Sequence, residues 1–239
     1  MNNEIMDLDE RGYSGYGNFP GNYDHSGYSR KRKGFAARFT RQEIIELLIS
    51  IAVISLAFSF IFADDMFFLL RGELSPLIIS AVVVGSGLFF HEMGHKFTAQ
   101  HYGLLAEYRM WKEGLMIALI LPIITAGGFV FAAPGAVHIS GAAISRNVNG
   151  ITSLAGPVVN VVFALMFFTG FMILLIAGVS GFLFDLFFYG FIINVWLALF
   201  NMIPFPPLDG HAVMRWNPIV WGITTLPLAL FFILLLILR

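Results

Sequence analysis

Apolar residues along this chain fall in long runs, without the alternation of a strand or the one-sided rhythm of a soluble helix. Five runs lie at about 44–63, 75–97, 151–179, 182–203 and 218–238. Each is near the ~20 residues a helix needs to cross a hydrocarbon core, so five membrane-spanning helices are predicted. A sixth apolar stretch, 114–137, reads GLMIALILPIITAGGFVFAAPGAV. It is interrupted by Pro122, Gly127, Gly128 and Pro134. Such breaks suit a segment that dips into the membrane and returns on the same side, although a sixth full span is the alternative. The first 43 residues contain no apolar run. Residues 1–29 are rich in Gly, Tyr, Asn, Asp and Ser and predict a disordered tail. The tyrosines at 13, 16, 23 and 28 offer a possible stacking motif, but a solvated tail is the simpler reading.

Composition supports the membrane assignment. Of 239 residues, 58% are hydrophobic and 12% charged, and mean hydropathy is +0.80. An ordinary soluble domain carries about 25% charged residues and could not hide this much apolar surface from water. The expected fold class is an all-α polytopic membrane protein. Residues 1–43 form a tail and basic flank, and 44–239 form the transmembrane domain. The partner implied is a lipid bilayer. A net charge of −1 gives no sign of nucleic-acid binding. No signal peptide is visible, so the first apolar helix is expected to serve as targeting signal and anchor.

Charge predicts the orientation. Arg30, Lys31, Arg32, Lys33, Arg38 and Arg41 precede the first span, as a cytoplasmic flank does. If 114–137 dips and returns, twelve of the fourteen Lys and Arg residues fall inside, leaving Arg71 and Arg239 outside. The expected location is the cell membrane, multi-pass, with the N-terminus cytoplasmic.

The chemistry is concentrated at the inner end of the second span, in GLFFHEMGHKF. His91 and His95 are four residues apart, about 40° around a helix and one turn displaced, so both imidazoles can reach one metal. Glu92 lies within about 100° on the same side, beside any water held by that metal. This is the pattern of two zinc ligands and a general base. The plain alternative is a set of ordinary polar residues at a helix end. A charged side chain inside a membrane helix costs at least about 2.5–3.5 kcal/mol on insertion scales, which favours a bound ion over that reading.

There is no cysteine, so disulfides and thiolate ligands are excluded. A third ligand must come from His101, Glu107, Glu113, His138, Asp185, Asp209 or His211. Asp185 is near the outer end of the fourth span. His101, Glu107 and Glu113 fall in a polar loop, and His138 follows the broken segment. Asp209 and His211 lie in NMIPFPPLDGHAV, where three prolines stop the fourth span. The Leu-Asp-Gly turn can aim a carboxylate back toward the second span, with Gly210 permitting close backbone approach. Asp209 is the expected ligand and His211 the second choice.

These residues resemble a known family. The chain is similar to the site-2 proteases, polytopic membrane zinc metalloproteases that cleave substrates within or near the bilayer. Three pieces carry the resemblance in order. They are His91-Glu92-Met93-Gly94-His95, then Ala155-Gly156-Pro157-Val158-Val159-Asn160, then the N-x-x-P-x-x-P-L-D-G run from Asn201 to Gly210. Together they span residues 75–215, most of the membrane domain and the expected three-helix catalytic core. The resemblance implies one Zn2+ per chain held by His91, His95 and Asp209. Glu92 would act as the base on zinc-bound water, and a transmembrane protein segment would be the substrate. It links Asn160 and Asn201 to substrate or transition-state contacts, where the simpler reading is interhelical hydrogen bonding. Gly127 and Gly128 resemble a Gly-Gly-aromatic segment that lines the substrate path and could hold an extended substrate. The implied topology puts all three motifs at the cytoplasmic face, which again requires 114–137 to return on one side. One departure is His211, where Gly is more usual. The chain is also expected to lack a PDZ insertion and a nucleotide-binding regulatory domain. The rivals are a membrane metalloprotease with Glu as third ligand, for which no Glu follows Glu113; a metal-binding membrane transporter or sensor, for which no internal repeat is evident; and a catalytically silent relative.

Overall fold

The computed structural model describes residues 39–63, 65–130, 134–140 and 144–237. The tail and most of the basic flank lie outside the described residues. Among the described residues, seven helices and two strands follow in chain order: α1 (Arg41–Phe62), α2 (Ser75–His101), β1 (Leu105–Met110), α3 (Lys112–Ile124), β2 (Gly135–Ser140), α4 (Arg146–Ile176), α5 (Phe182–Asn201), α6 (Asp209–Trp216) and α7 (Pro218–Ile237). Four of them, α1, α2, α4 and α5, are long and apolar enough to cross a membrane. The fifth expected span corresponds to α7, whose apolar stretch Pro218–Leu234 is shorter than those four. The molecule is a helical polytopic membrane protein.

Its helices are organised for lipid rather than water. Along α1 the buried face carries Glu43, Leu47, Ser50, Ile54, Ala57 and Phe58, at helical spacing. Ile44, Ile45, Leu48 and Ile49 are exposed. A soluble helix would turn such apolar residues inward; here they suit acyl chains, and the polar groups are paired inside. The Ser80 hydroxyl, for example, donates to the Ser55 carbonyl at 2.6 Å and joins α2 to α1. The start of α1 is set by a capping box between Thr40 and Glu43.

The dipping segment does return on the side it entered. The Trp111 N–H donates to the Pro134 carbonyl at 2.9 Å, closing the two ends together. Two features differ from the sequence expectation. Most of the inward limb is a regular helix, α3, that packs against α1. In addition, the flanks of the dip pair as an antiparallel sheet, with Glu107 opposite His138 and Tyr108 opposite Val137. Six-residue strands flanking a long apolar run are hard to tell from loop by pattern alone. The dip turns over at Ala126 and Gly127, both with positive φ. Gly127 packs so closely on the Phe60 carbonyl that a Cβ would overlap it. That contact is near the C-terminal end of α1.

The sheet has two unlike edges. On β1, the outward groups are already bound: Tyr108 N–H to Glu43 at 3.0 Å, Met110 N–H to Glu46 at 3.0 Å, and Ala106 C=O from Lys96 at 2.8 Å. Even-numbered residues of β1 therefore face away from β2. By antiparallel pairing, Gly135, Val137 and Ile139 of β2 turn their backbone groups to the opposite edge. That edge has no strand partner among the described residues.

Candidate metal centre

Three elements converge at the cluster. α2 supplies His91, Glu92 and His95, α4 packs across them, and the turn from α5 into α6 delivers Asp209. Small residues allow this approach. A Cβ at Gly94 would stand 2.9 Å from the Ala155 carbonyl of α4, and one at Gly156 would overlap the His95 imidazole. Gly210 lies against the Met202 carbonyl with no room for a Cβ, as the sequence led one to expect of the Leu-Asp-Gly turn.

The geometry fits a tetrahedral ion. His91 Nε2 and His95 Nε2 are 3.0 Å apart, and Asp209 Oδ2 is 3.3 Å from each. Around zinc with bonds of ~2.0–2.1 Å, ligand atoms lie about 3.3 Å from one another. The hydrogen bonds orient both rings. His95 Nδ1 is 2.8 Å from the Thr152 carbonyl, which can only accept, so Nδ1 carries the proton and Nε2 is free to ligate. Asn160 Nδ2 donates to the Gly87 carbonyl at 3.1 Å, which fixes its amide so that Oδ1 faces His91 Nδ1 at 2.6 Å. His91 therefore also presents Nε2 to the cluster. Partners of this kind hold metal-ligating histidines in one tautomer.

Asp209 is outside the spans, on the first turn of α6. Burial opposes its charge, but the His95 and His91 imidazoles outweigh burial and hold its carboxyl down at about 2. It is thus ready as an anionic ligand. Glu92 is 6% exposed, and its Oε2 has no hydrogen-bond partner among the described residues. Leaving a buried carboxylate oxygen unpaired is costly, and such an atom marks a place where a ligand or water belongs. Glu92 and Val137, the latter on the open edge of β2, line the same cleft. The cleft over the cluster is lined by Trp111, Pro134, Gly135, Val137, Asn201 and Leu208.

The structure thus brings His91, Glu92, His95, Asp209 and Asn201 together. Asn160 is buried behind His91, with its amide committed to His91, Gly87 and Asn194. Its Oδ1 orients the His91 ring, and both of its N–H groups are already bonded. Gly127 and Gly128 are not brought to the cleft. His211 is outside the cluster formed by His91, His95 and Asp209. Glu113 and Asp185 are exposed, Glu107 pairs with Arg109, and His138 stands opposite Glu107 on the sheet. Sequence reasoning missed Asn194, which accepts from Asn160 at 3.1 Å and donates to the Gly190 carbonyl at 2.9 Å. A carboxamide inside an apolar span was the available signal. It also missed the β2 edge, for which no local signal exists.

A polytopic membrane protein with a buried His-His-Asp cluster and an unpaired glutamate beside it has the parts of a metallohydrolase. Comparison with known proteins agrees. Two curated relatives, each named "putative zinc metalloprotease", match: MJ0611 of Methanocaldococcus jannaschii and YwhC of Bacillus subtilis. The first is 43% identical over 191 residues, spanning 80% of this chain and 93% of the relative. The second is 29% identical over 168 residues, spanning 63% of this chain and 73% of the relative. No protein-family model matches the chain, and no solved structure matches it. The chain belongs to the zinc metalloprotease family of these relatives.

Proposed function

We propose that the chain is an intramembrane zinc metalloprotease of the site-2 type, which hydrolyses peptide bonds in membrane-spanning or membrane-proximal segments of other proteins. The unpaired Oε2 of Glu92, buried beside three ligand atoms at tetrahedral spacing in an apolar helix, carries this reading. His91, His95 and Asp209 would hold one zinc ion. When bound, zinc supplies a Lewis acid that polarises a carbonyl and makes water more acidic.

The chain's own residues do the rest. Glu92 takes a proton from the attacking water, the water oxygen bonds to the scissile carbonyl carbon, and the C–N bond breaks. The proton passes from Glu92 to the leaving amine. Thr152 and Asn160 keep the imidazoles in place throughout. Asn201, whose Nδ2 is held by the Leu197 carbonyl at 3.0 Å, leaves Oδ1 at the cleft for a substrate N–H.

A substrate helix has every backbone group bonded internally and must unwind locally before attack. The open edge of β2 supports strand addition as the way the unwound segment is held, since Gly135 and Val137 also line the cleft. The sheet at the end of the dip takes the place that sequence resemblance gave to Gly127 and Gly128. Arg41, Lys96, Arg109, Lys112, Arg146 and Arg215 all belong to segments at the site end of the bundle, which supports a cytoplasmic location for that end.

The test is Glu92→Gln against wild type, purified in detergent, with zinc per chain and cleavage of a panel of single-span substrates measured for both. The expected result is equal zinc and cleavage by the wild type alone. Equal zinc with no cleavage by either would favour a transporter or silent relative. A wild type that holds no zinc when supplied with it would remove the basis of the reading.

A further inference from the structure

Lys96 directly follows the ligand His95 and points about 100° round α2, away from the metal cluster. Its Nζ is 2.6 and 2.8 Å from the two oxygens of Glu43, 2.8 Å from the Ala106 carbonyl, and 4.7 Å from the Phe39 ring centroid. Glu43 in turn accepts from the Tyr108 N–H at 3.0 Å. Both side chains are 0% exposed. The surrounding cluster is apolar: Leu47, Met93, Ala99, Ala106, Tyr108 and Val137. A buried ion pair is a poor source of stability, because well-packed apolar residues of similar volume often do as well or better. What the charges add is a set of short directional bonds at fixed positions on three elements, α1, α2 and β1. The path from ligand to cleft edge is short: His95, Lys96, the outer edge of β1, then one strand width of ~4.8 Å to β2.

We propose that the Lys96–Glu43 pair positions the substrate for cleavage. It holds the open edge of β2 at one height relative to the metal ligands, and so sets which peptide bond of a bound segment is cut. The inference rests on the strand-addition reading above. These are positioning residues; neither touches the reacting atoms. A displacement of about 1 Å at a reacting centre costs on the order of 100-fold in rate, so small shifts of the sheet should be visible.

Two variants test it. Glu43→Asp keeps both charges but shortens one arm by a methylene. The double variant Glu43→Gln/Lys96→Met removes the pair while keeping an acceptor for the Tyr108 N–H. Zinc content, thermal stability, kcat, KM and product masses are measured on a single-span substrate that the wild type cleaves. Wild-type zinc, a kcat lower by about tenfold or more and a changed or broadened set of cut bonds are expected. Wild-type kcat and the same single cut in either folded variant would overturn the proposal. Glu43→Asp keeps the test decisive if the double variant does not fold. Ile139→Pro removes one N–H from the open edge but none of the groups that bond to β1. If it cleaves normally, strand addition itself is wrong. If it is impaired while both pair variants are normal, only the positioning role fails.

Discussion

Two buried charged clusters sit one residue apart on α2 and differ in a single respect. Around Lys96 both charged groups are fully paired: the ammonium has two carboxylate oxygens and a carbonyl, and Glu43 has Lys96 and a backbone N–H. Around His95 the accounts are left open, with Oε2 of Glu92 unpaired and three ligand atoms facing one another. Both clusters are costly to bury. The closed one ties elements together, and the open one leaves room for an ion and a water. Completeness of hydrogen bonding, rather than burial or charge, tells the anchor from the reaction centre.

The contrast can be broken first at its open side. Asp209→Ala removes one of three ligands, and the protein should lose zinc during purification and lose all cleavage, by metal analysis and substrate assay. Its helical content should stay at the wild-type level. The single variant Lys96→Met should do the reverse. It strands the Glu43 carboxylate in an apolar core, at a cost of about 3–5 kcal/mol, and should appear as a large fall in thermal stability or yield. If Lys96→Met proved as stable as wild type, the closed cluster would not be an anchor.

Smaller effects sharpen the distinction. Asn160→Ala leaves all three ligands but frees the His91 ring, and should weaken zinc binding by about 10–100-fold in a chelator competition. Asn194→Ala acts through Asn160 and should weaken it less. The smallest effect expected is at the sheet. Burial, then the nearby Arg109, lowers the pKa of His138 below 6.5, against the opposite pull of Glu46. A depressed histidine favours the folded sheet in its neutral form. That contribution is present above pH 6.5 and is lost as pH falls through the lower folded value. Amide exchange of the two strands, corrected for intrinsic rates, should therefore quicken below pH 6.5, and His138→Gln should abolish the change.

The sequence alone determined a good deal. Apolar run length gave four spans to within a few residues at each end, because a helix in lipid must satisfy its own backbone and reach across the core. Spacing gave His91, Glu92 and His95, because positions i and i+4 share a helix face whatever surrounds them. Three prolines and a Leu-Asp-Gly turn pointed to Asp209, since chain-breaking residues act locally. Tertiary structure decided the rest. Whether Asn160 meets substrate or a ligand depends on which atoms of α2 and α5 it faces, and that is a matter of helix crossing at Gly94 and Gly156. Gly127 fits the turn of the dip for its positive φ, but how far the dip reaches is set by the length of α3, which carries its tip to Phe60. Which edge of the two-stranded sheet is left open depends on residues far apart in sequence, since Glu43, Glu46 and Lys96 bind the backbone groups on the outer edge of β1. Long-range pairing of backbone groups leaves no mark in the side-chain pattern, and it is there that the cleft acquires its shape.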